Sequence, residues 1–265
     1  MYGKSQLALK YIHYYLTAAS GRGHGIHSPF VFNFITDVLN DKRFFYAYDE
    51  VERLRDQLLI NNAQIEVQDY GAGSSATASR IRNIKDIANW SLKSPKYAQL
   101  LFRMVHYYQP HTIVELGTSF GITTAYLATA NAVSEVFTFE GAETVAALAK
   151  QHFAHLDLHN IYLATGNFDN TVQPALQKMR QVDFAFIDGN HRKEPTLNYF
   201  NWLLPYVQPA SIFVFDDIHW SAEMKEAWRV IQSHPSVTCS IDLFFIGIVF
   251  FTPDIKIKQK FSIRF

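Results

Sequence analysis

Three aspartates at the ends of two apolar runs are the first residues of this sequence that could do chemistry. Asp188 follows the run Asp183–Ile187, and the pair Asp216 and Asp217 follows Ser211–Phe215. If both runs are parallel strands of one sheet, their carboxyl ends face one crevice. Carboxylates held that close repel one another unless a cation neutralises them, and oxygen ligands suit a hard dication, Mg²⁺ first, with Ca²⁺ or Mn²⁺ as alternatives. These aspartates are the predicted metal ligands; the simpler alternatives are a turn residue and a helix cap.

A second chemical signal lies in Thr112–Gly121, which runs Thr-Ile-Val-Glu-Leu-Gly-Thr-Ser-Phe-Gly. A helical pattern follows it, and then a second apolar run, Val136–Phe139, ends in Glu140. A strand, a glycine turn, a helix and a second strand that ends in an acid are typical of nucleotide-binding α/β sheets. In such sheets the acid holds ribose hydroxyls, so Glu140 is predicted to bind a nucleoside.

The spacing of this turn distinguishes two cofactor classes. Dinucleotide dehydrogenases prefer Gly-x-Gly-x-x-Gly, whose middle glycine lets the backbone approach a pyrophosphate. Here the order is Glu-x-Gly-x-x-x-Gly, and Ser119 stands where that pattern has glycine. A cofactor without phosphates tolerates this side chain, while Glu115 would repel a pyrophosphate but attract the ammonium of an amino acid. Both points favour S-adenosylmethionine (SAM) and make a hydride-transferring dehydrogenase the least expected function.

The elements that must position these residues alternate regularly from Ile113 onward. The predicted strands are Ile113–Glu115, Val136–Phe139, Ile161–Ala164, Asp183–Ile187 and Ser211–Phe215. The predicted helices are Ile122–Asn131, Glu143–Phe153, Val172–Met179, Glu194–Leu204 and Ala222–Ser233. This alternation predicts an α/β fold with a doubly wound, mostly parallel sheet. Two last strands, Val237–Phe245 and Gly247–Thr252, can only form an antiparallel hairpin because their linker is too short for a crossover, which makes seven predicted strands.

The composition excludes several classes of protein. With 24 Lys and Arg against 24 Asp and Glu, the chain lacks the basic excess of most nucleic-acid binders. Cys239 is the single cysteine, so there is no internal disulfide, and a reducing compartment suits it. Neither the N-terminus nor the longest apolar run, Leu243–Phe251, has the length or continuity of a signal peptide or a membrane span. We expect a cytoplasmic protein with no membrane or nucleic-acid partner.

The glycine turn and the terminal hairpin together resemble the class I SAM-dependent methyltransferases, which have a Rossmann-like sheet that ends in such a hairpin. The resemblance covers Ser94–Thr252 and implies that Asn167 contacts adenine, at a position where the family more often has an acid. The cofactor-binding residues that it implies are Glu115, Gly117, Thr118, Phe120, Gly121, Glu140, Gly141, Asn167, Phe168 and Asp188.

The aspartates also resemble those of the metal-dependent small-molecule O-methyltransferases (catechol O-methyltransferase-like; methyltransferase 24-type). That group binds Mg²⁺ with an Asp after the fourth strand and an Asp-Asn pair after the fifth, where this chain has Asp216-Asp217. Three residues after the first Asp, catechol enzymes place a lysine base and macrolide-sugar enzymes a histidine; here the residue is His191. The resemblance implies methyl transfer to a small hydroxylated acceptor, with His191 as the catalytic base.

His219 and Trp220 follow the acidic pair and are predicted to edge the substrate pocket. His219 is also an alternative base, and a surface or hydrogen-bonding role is the alternative for His191. Two other functions keep SAM but change its use. One is a methyltransferase acting on RNA or protein, which the zero net charge and the lack of an Asn-Pro-Pro-Tyr-like motif disfavour. The other is a non-catalytic SAM-binding protein of the same fold.

Residues 1–93 are predicted to form a helical extension ahead of a methyltransferase domain at 94–265. The run His-Gly-Ile-His-Ser-Pro-Phe in this extension resembles bacterial members of the group, and that resemblance supplies no substrate. We interpret the extension as a helical cap whose aromatic residues pack on the sheet or on a second subunit, with a substrate lid as the alternative. The aromatic content of 15% is compatible with a homodimer. A further Asp-x-Gly-x-Gly run begins at Asp69, but no acid-ended strand follows it, so residues 76–88 are predicted to be a lid or loop.

Overall fold

The computed structural model describes residues 1–67 and 80–265, without the side chain of Arg80. The Asp-x-Gly-x-Gly run at Asp69 lies outside the described residues. The chain falls into two compact units. The middle unit is Lys42–Lys178, and the terminal unit joins Met1–Asp41 to Met179–Phe265. The predicted division at residue 93 follows a different boundary and stays a prediction.

The described residues form helices and strands in alternation over most of the chain. Helices α1 to α10 are Lys4–Thr17, Pro29–Asn33, Tyr46–Ile60, Ile84–Ser91, Pro95–Tyr108, Ile122–Ala130, Glu143–His155, Phe168–Leu176, Lys193–Leu203 and Ala222–Ser233. A π-helical turn, Phe34–Leu39, continues α2, and a 3-10 turn, Leu204–Tyr206, continues α9. Strands β1 to β10 are Gln64–Val67, Arg80–Asn83, Thr112–Leu116, Glu135–Glu140, Ile161–Thr165, Val182–Ile187, Val207–Asp216, Cys239–Asp242, Ile246–Phe250 and Gln259–Ser262.

The predicted fold class is confirmed: β3 to β10 belong to a mostly parallel sheet flanked by helices. The predicted terminal hairpin is present as β8 and β9, which pair antiparallel, although both strands are shorter than predicted. The sheet has eight strands among the described residues where seven were predicted. The additional strand is β10, which pairs parallel to β8 with Gln259 opposite Cys239. Its sequence, Gln-Lys-Phe-Ser, has too little apolar periodicity to be recognised as a strand.

In the middle unit, β3, β4 and β5 pair in parallel in that order. Every residue of β3 is buried, as expected of a central parallel strand. Helix α5 precedes this strand and begins at Pro95, where a missing N–H costs nothing. It ends where Gln109 adopts a left-handed φ of 50°, directly before Pro110. These two residues end α5 just before β3 begins.

Residues 80–91 differ from the predicted loop. Arg80–Asn83 forms β2, which pairs antiparallel with β1, and the next eight residues form α4. Ile84 and Ala88 are buried on one face of α4, four residues apart, while Trp90 is 85% exposed. That single apolar face was too short to be recognised among polar neighbours.

In the terminal unit the strand order is β10-β8-β9-β7-β6. Strand β9 is antiparallel to β7 and β8, while β6 and β7 are parallel. N-terminal aromatic residues pack on the β8–β9 hairpin: Tyr14 of α1 contacts Phe244 in its turn, and the ring of Phe30 lies edge-on at 4.9 Å from that of Phe250 on β9. Within residues 1–67 and 80–265, no helix has both the length and the apolar character needed to cross a bilayer.

Candidate active site

The glycine turn, Gly117–Gly121, joins β3 to α6 in the middle unit. Its backbone is left-handed at Gly117, Ser119 and Gly121, where φ is 108°, 48° and 84°. The N–H groups of Gly117 and of the next residue both donate to the carbonyl of Phe139 on β4, at 3.0 and 3.1 Å. The turn is therefore tied to the neighbouring strand, in a conformation that glycine adopts without steric cost.

Glu140 ends β4 and binds the glycine turn through its carboxylate. Oε2 accepts the N–H of Ser119 at 2.8 Å, and Oε1 accepts the N–H of Ala142 at 2.9 Å. Burial raises the pKa of this carboxyl, and backbone N–H donors, among them Ala142 and Ser119, offset part of the rise. A carboxylate has more lone pairs than these two bonds use, so Glu140 can still accept hydroxyl groups.

Glu115, the predicted partner of the methionine ammonium, has an exposed fraction of zero. Its Oε2 accepts the hydroxyls of Thr124 on α6 and Thr138 on β4, at 2.5 and 2.6 Å. The hydroxyl of Thr138 also lies 2.6 Å from that of Thr118 in the glycine turn. In the described structure Glu115 therefore ties together the elements around the turn. Its contact with a ligand stays a prediction.

Two other predicted cofactor residues have buried side chains. Thr118 is 2% exposed and Phe120 is fully buried. The carbonyl of Phe120 lies 2.9 Å from Nδ1 of His152 on α7, and burial lowers the pKa of that histidine. A ligand at the glycine turn would therefore meet the backbone of these two residues and not their side chains.

The remaining predicted cofactor residues of the middle unit follow β4 and β5. The N–H of Gly166 donates to the carbonyl of Glu140 at 2.8 Å, which joins the ends of the two strands. Asn167 is exposed, and its Oδ1 caps α8 by accepting the N–H of Asp169 at 2.9 Å. Gly141 and Phe168 are half-buried. The structure thus gathers the predicted cofactor residues, apart from Asp188, at the carboxyl ends of β3, β4 and β5.

Ser91 is a residue near the glycine turn that the sequence did not indicate. Its Oγ lies 2.7 Å from Oγ of Ser119. Ser91 is the last residue of α4. This helix begins inside the predicted lid or loop, residues 76–88, and lies within the predicted helical extension, residues 1–93. The contact joins residues 28 positions apart, so no local pattern could have revealed it.

The terminal unit holds the predicted metal residues. One ligand atom each from Asp188, His191 and Asp216 lies within 4.8 Å of the other two, and we call these residues the acid cluster. Nε2 of His191 is 3.5 Å from Oδ1 of Asp188. Asp216 ends β7 and is 1% exposed, whereas the other two are half-buried. Asp217, the third predicted ligand, lies outside this group.

His219 and Trp220 occupy the turn after β7. The backbone of Asp217 is left-handed, with φ of 53°, and its carbonyl accepts the N–H of Trp220 at 2.9 Å. Nε2 of His219 lies 2.8 Å from Oδ2 of Asp242. Because a carboxylate accepts, His219 donates through Nε2 and its Nδ1 is the acceptor. The ring of His219 stacks on Phe244 with centroids 5.1 Å apart.

In the terminal unit, Asp242 is a partner of His219 that the sequence did not indicate. Besides His219, it accepts the indole N–H of Trp228 at 3.2 Å and the N–H of Phe244 at 2.8 Å. Its side chain is 14% exposed. Asp242 ends β8, 23 residues after His219. A single acid at the end of a strand does not indicate which distant side chains it will bind, so the sequence could not predict this contact. It fixes the orientation of His219.

Asp242→Ala is expected to lower the free energy of unfolding by about 3 kcal/mol, because three donors lose a charged acceptor at a mostly buried position. Urea denaturation measures this change. Asp254→Ala removes a carboxylate from an exposed turn and should stay within about 0.5 kcal/mol of the parent. Equal losses in the two variants would show that Asp242 does not organise this region.

Comparisons with known proteins agree with this arrangement. A family model described as a methyltransferase domain matches residues 114–218, which include the glycine turn, Glu140 and the acid cluster. Uncharacterized protein R132 of Acanthamoeba polyphaga mimivirus is 34% identical over 65 residues. That match covers 23% of this chain and 29% of the viral protein, so the chain spans under a third of the length of this curated relative.

Two solved structures show the same fold over more of the chain. An O-methyltransferase from Bacillus cereus in complex with SAH matches with a TM-score of 0.56 and 20% identity, over 83% of this chain and 96% of that one. The SAH-bound methyltransferase PaMTH1 of Podospora anserina matches with a TM-score of 0.59 and 11% identity, over 95% and 98%. At these identities the likeness shows the fold alone.

Residues 114–218 match a methyltransferase domain, and the described structure has the fold of the SAH-bound methyltransferases above. These findings support a class I SAM-dependent methyltransferase-like protein. The resemblance inferred from the sequence is confirmed at this level.

Proposed function

We propose that this chain transfers the methyl group of SAM to a hydroxyl group of a small molecule, with the help of a divalent cation. The observation that carries the proposal is the acid cluster, which places two carboxylates and an imidazole at the ends of two neighbouring strands of a methyltransferase domain. Two carboxylate oxygens within 4.8 Å of each other, one of them on a buried side chain, repel unless positive charge lies near them.

The residues of the middle unit suit SAM. Glu140 offers a carboxylate for ribose hydroxyls, beside a turn with no basic residue for a pyrophosphate. Asn167 uses Oδ1 to cap α8, so its amide group can donate to a ring nitrogen of adenine. The acid more usual at this position would accept from the adenine amino group instead. The affinity for adenine is therefore proposed to depend on a hydrogen bond that the amide group of Asn167 donates to the ring.

The proposed chemistry needs an activated hydroxyl and an aligned methyl group. A divalent cation, when bound, supplies charge that lowers the pKa of an acceptor hydroxyl. Asp188 and Asp216 would hold this cation from the ends of β6 and β7. An imidazole then takes the proton near neutral pH; His191 is the predicted base, and His219, oriented by Asp242, is the alternative. Holding both reactants in contact supplies much of the rate acceleration.

A screen of catechols, flavonoids and sugars tests this function. The purified protein is incubated with SAM and each acceptor, with a divalent cation or with a chelator, and the release of SAH is measured. We expect O-methylation of at least one acceptor class that stops in chelator. Transfer to RNA or protein nitrogen would replace the small-molecule proposal, and SAH binding without any transfer would indicate a non-catalytic protein.

The affinity for SAH is expected to weaken as the pH falls through the raised pKa of Glu140. The charged carboxylate is the stronger acceptor for ribose hydroxyls, so the ligand favours the charged form, and binding at low pH must release a proton. Glu140→Gln should flatten this dependence and weaken binding about tenfold to a hundredfold. Calorimetric titrations with SAH at neutral and mildly acidic pH measure both effects.

Glu143→Gln is the matched control for this prediction. Glu143 is exposed in the first turn of α7, three residues after Glu140. Its replacement should change neither the affinity nor its pH dependence. An affinity of the parent protein that is the same at both pH values would exclude Glu140 as the ribose ligand.

A further inference from the structure

We infer that the acid cluster binds a divalent transition-metal ion through Asp188, His191 and Asp216, with His191 as a metal ligand and Asp217 outside the set. The inference rests on the proposed function and changes two parts of what the sequence predicts. The predicted ligands were three carboxylates, which suit Mg²⁺, and His191 was the predicted base. The structure instead groups the histidine with two of the three aspartates.

The distances in the acid cluster fit a shared ion. Metal bonds of about 2.0–2.1 Å to nitrogen and oxygen place neighbouring ligand atoms about 3 Å apart and opposite ones about 4 Å apart. Nε2 of His191 and Oδ1 of Asp188 are 3.5 Å apart, and the atom from Asp216 lies within 4.8 Å of both. Small side-chain rotations therefore bring all three atoms into one coordination sphere. The family-model match, residues 114–218, contains all three residues.

Asp217 does not take part in this grouping. Asp216 is the last residue of β7 and is buried, whereas Asp217 begins the next turn with a left-handed φ of 53°. Its carbonyl accepts the N–H of Trp220 and so fixes the turn. The two adjacent aspartates thus leave the strand in different conformations, and only the first joins the acid cluster.

The donor set indicates the kind of ion. Two carboxylates carry two negative charges and match a dication, while a third carboxylate would leave an excess charge. Imidazole suits Fe²⁺, Ni²⁺ or Zn²⁺, and Co²⁺ lies between Fe²⁺ and Ni²⁺ in the order of affinity, whereas Mg²⁺ prefers oxygen ligands and retains water. A histidine that binds metal through Nε2 cannot also accept the substrate proton at that atom. His191 then acts as a ligand, and proton transfer requires another group.

Metal titrations of the chelator-treated protein test the inference. Binding of Co²⁺ and of Mg²⁺ is measured by calorimetry, with the visible absorption of Co²⁺ as a second readout. Transition-metal ions bind most sites more tightly than Mg²⁺, so a preference of the parent protein for Co²⁺ is not diagnostic by itself. The change caused by each variant is diagnostic.

His191→Ala is expected to weaken Co²⁺ binding at least about tenfold and Mg²⁺ binding by less than about threefold. His191→Asp creates an all-oxygen set and should lower the ratio of Co²⁺ to Mg²⁺ affinity through tighter Mg²⁺ binding. Asp217→Ala, the control, removes every side-chain ligand atom at this position and should change neither affinity by more than about threefold. Circular dichroism checks that each variant folds. If His191→Ala does not fold, the metal affinities of His191→Asp test the role of His191.

Two results would overturn the inference: Co²⁺ affinity that is unchanged in both His191 variants, or Co²⁺ binding that is lost in Asp217→Ala. Titration of the parent protein with SAH in chelator separates this failure from a failure of the proposed function. SAH binding without metal binding that depends on His191 rejects only the metal inference. Absence of SAH binding rejects the methyltransferase proposal itself.

Discussion

Asp188→Ala is expected to abolish metal binding at the acid cluster and to lower the rate of methyl transfer at least about a thousandfold, because metal activation of the acceptor is worth several kcal/mol. Asp188 provides an oxygen atom 3.5 Å from Nε2 of His191 and within 4.8 Å of a carboxylate oxygen of Asp216. Without it, two protein ligands remain, too few to retain a dication against water. Activity is measured in excess Mg²⁺ or Mn²⁺ and metal affinity by calorimetry.

Asp217→Ala is the matched control for Asp188→Ala, since it removes a neighbouring carboxylate that lies outside the acid cluster. It should keep most of the activity and the metal affinity. The affinity of Asp188→Ala for SAH tests the second role predicted for Asp188, because a direct cofactor contact would weaken SAH binding as well. Metal assistance would be rejected if Asp188→Ala in chelator turned over as fast as the parent protein does in excess metal ion.

Gly121→Ala is expected to lower the free energy of unfolding by about 2–5 kcal/mol and to weaken SAH binding. A Cβ at this position would lie 2.4 Å from Cε1 of Phe153, and φ is 84°, a value that L-residues rarely adopt. The chain must therefore shift the glycine turn or the ring on α7. Because the turn carries the N–H of Ser119 that binds Glu140, the shift would reach the proposed ribose site. Urea denaturation and SAH titration measure the two effects.

Gly25→Ala separates the steric part of this effect from the backbone part. Gly25 has a similar φ of 78°, but apart from its two chain neighbours no described residue lies within 4 Å of its added Cβ. Its replacement should cost only about 1 kcal/mol. Adding Phe153→Leu to Gly121→Ala should restore part of the lost stability by making room for the methyl group. Equal losses in Gly25→Ala and Gly121→Ala would show that the Phe153 contact is unimportant.

Much of the fold, and the grouping of the predicted cofactor residues at the ends of β3, β4 and β5, could be predicted because the signals are local. A buried strand, Gly117, Gly121 and an acid at the tip of the next strand lie within thirty consecutive residues, and each has a fixed place in a parallel sheet. The same alternation placed Asp188 and Asp216 at strand ends. Sequence spacing also brought His191 near Asp188, since residues three apart in a tight turn remain neighbours.

What the sequence could not provide depends on contacts between distant residues and on backbone conformation. Adjacent aspartates look equivalent in a sequence, yet the left-handed backbone at Asp217 separates it from Asp216. Glu115 was assigned to a ligand by its charge, and its partners Thr124 and Thr138 emerge only when α6 and β4 fold around it. Asp242 lies on a strand added late in the chain, so its bond to His219 had no sequence signal.

Calorimetric titration with SAH and with NAD tests most directly whether this chain is a SAM-dependent methyltransferase. We predict that SAH binds to one site per chain, that binding is weakened in Glu140→Gln, and that NAD shows no binding. The predicted difference rests on Ser119, which stands where a dinucleotide site has the glycine that lets the backbone approach a pyrophosphate, and on Glu115, whose charge would repel one. Binding of NAD without binding of SAH would contradict the assignment.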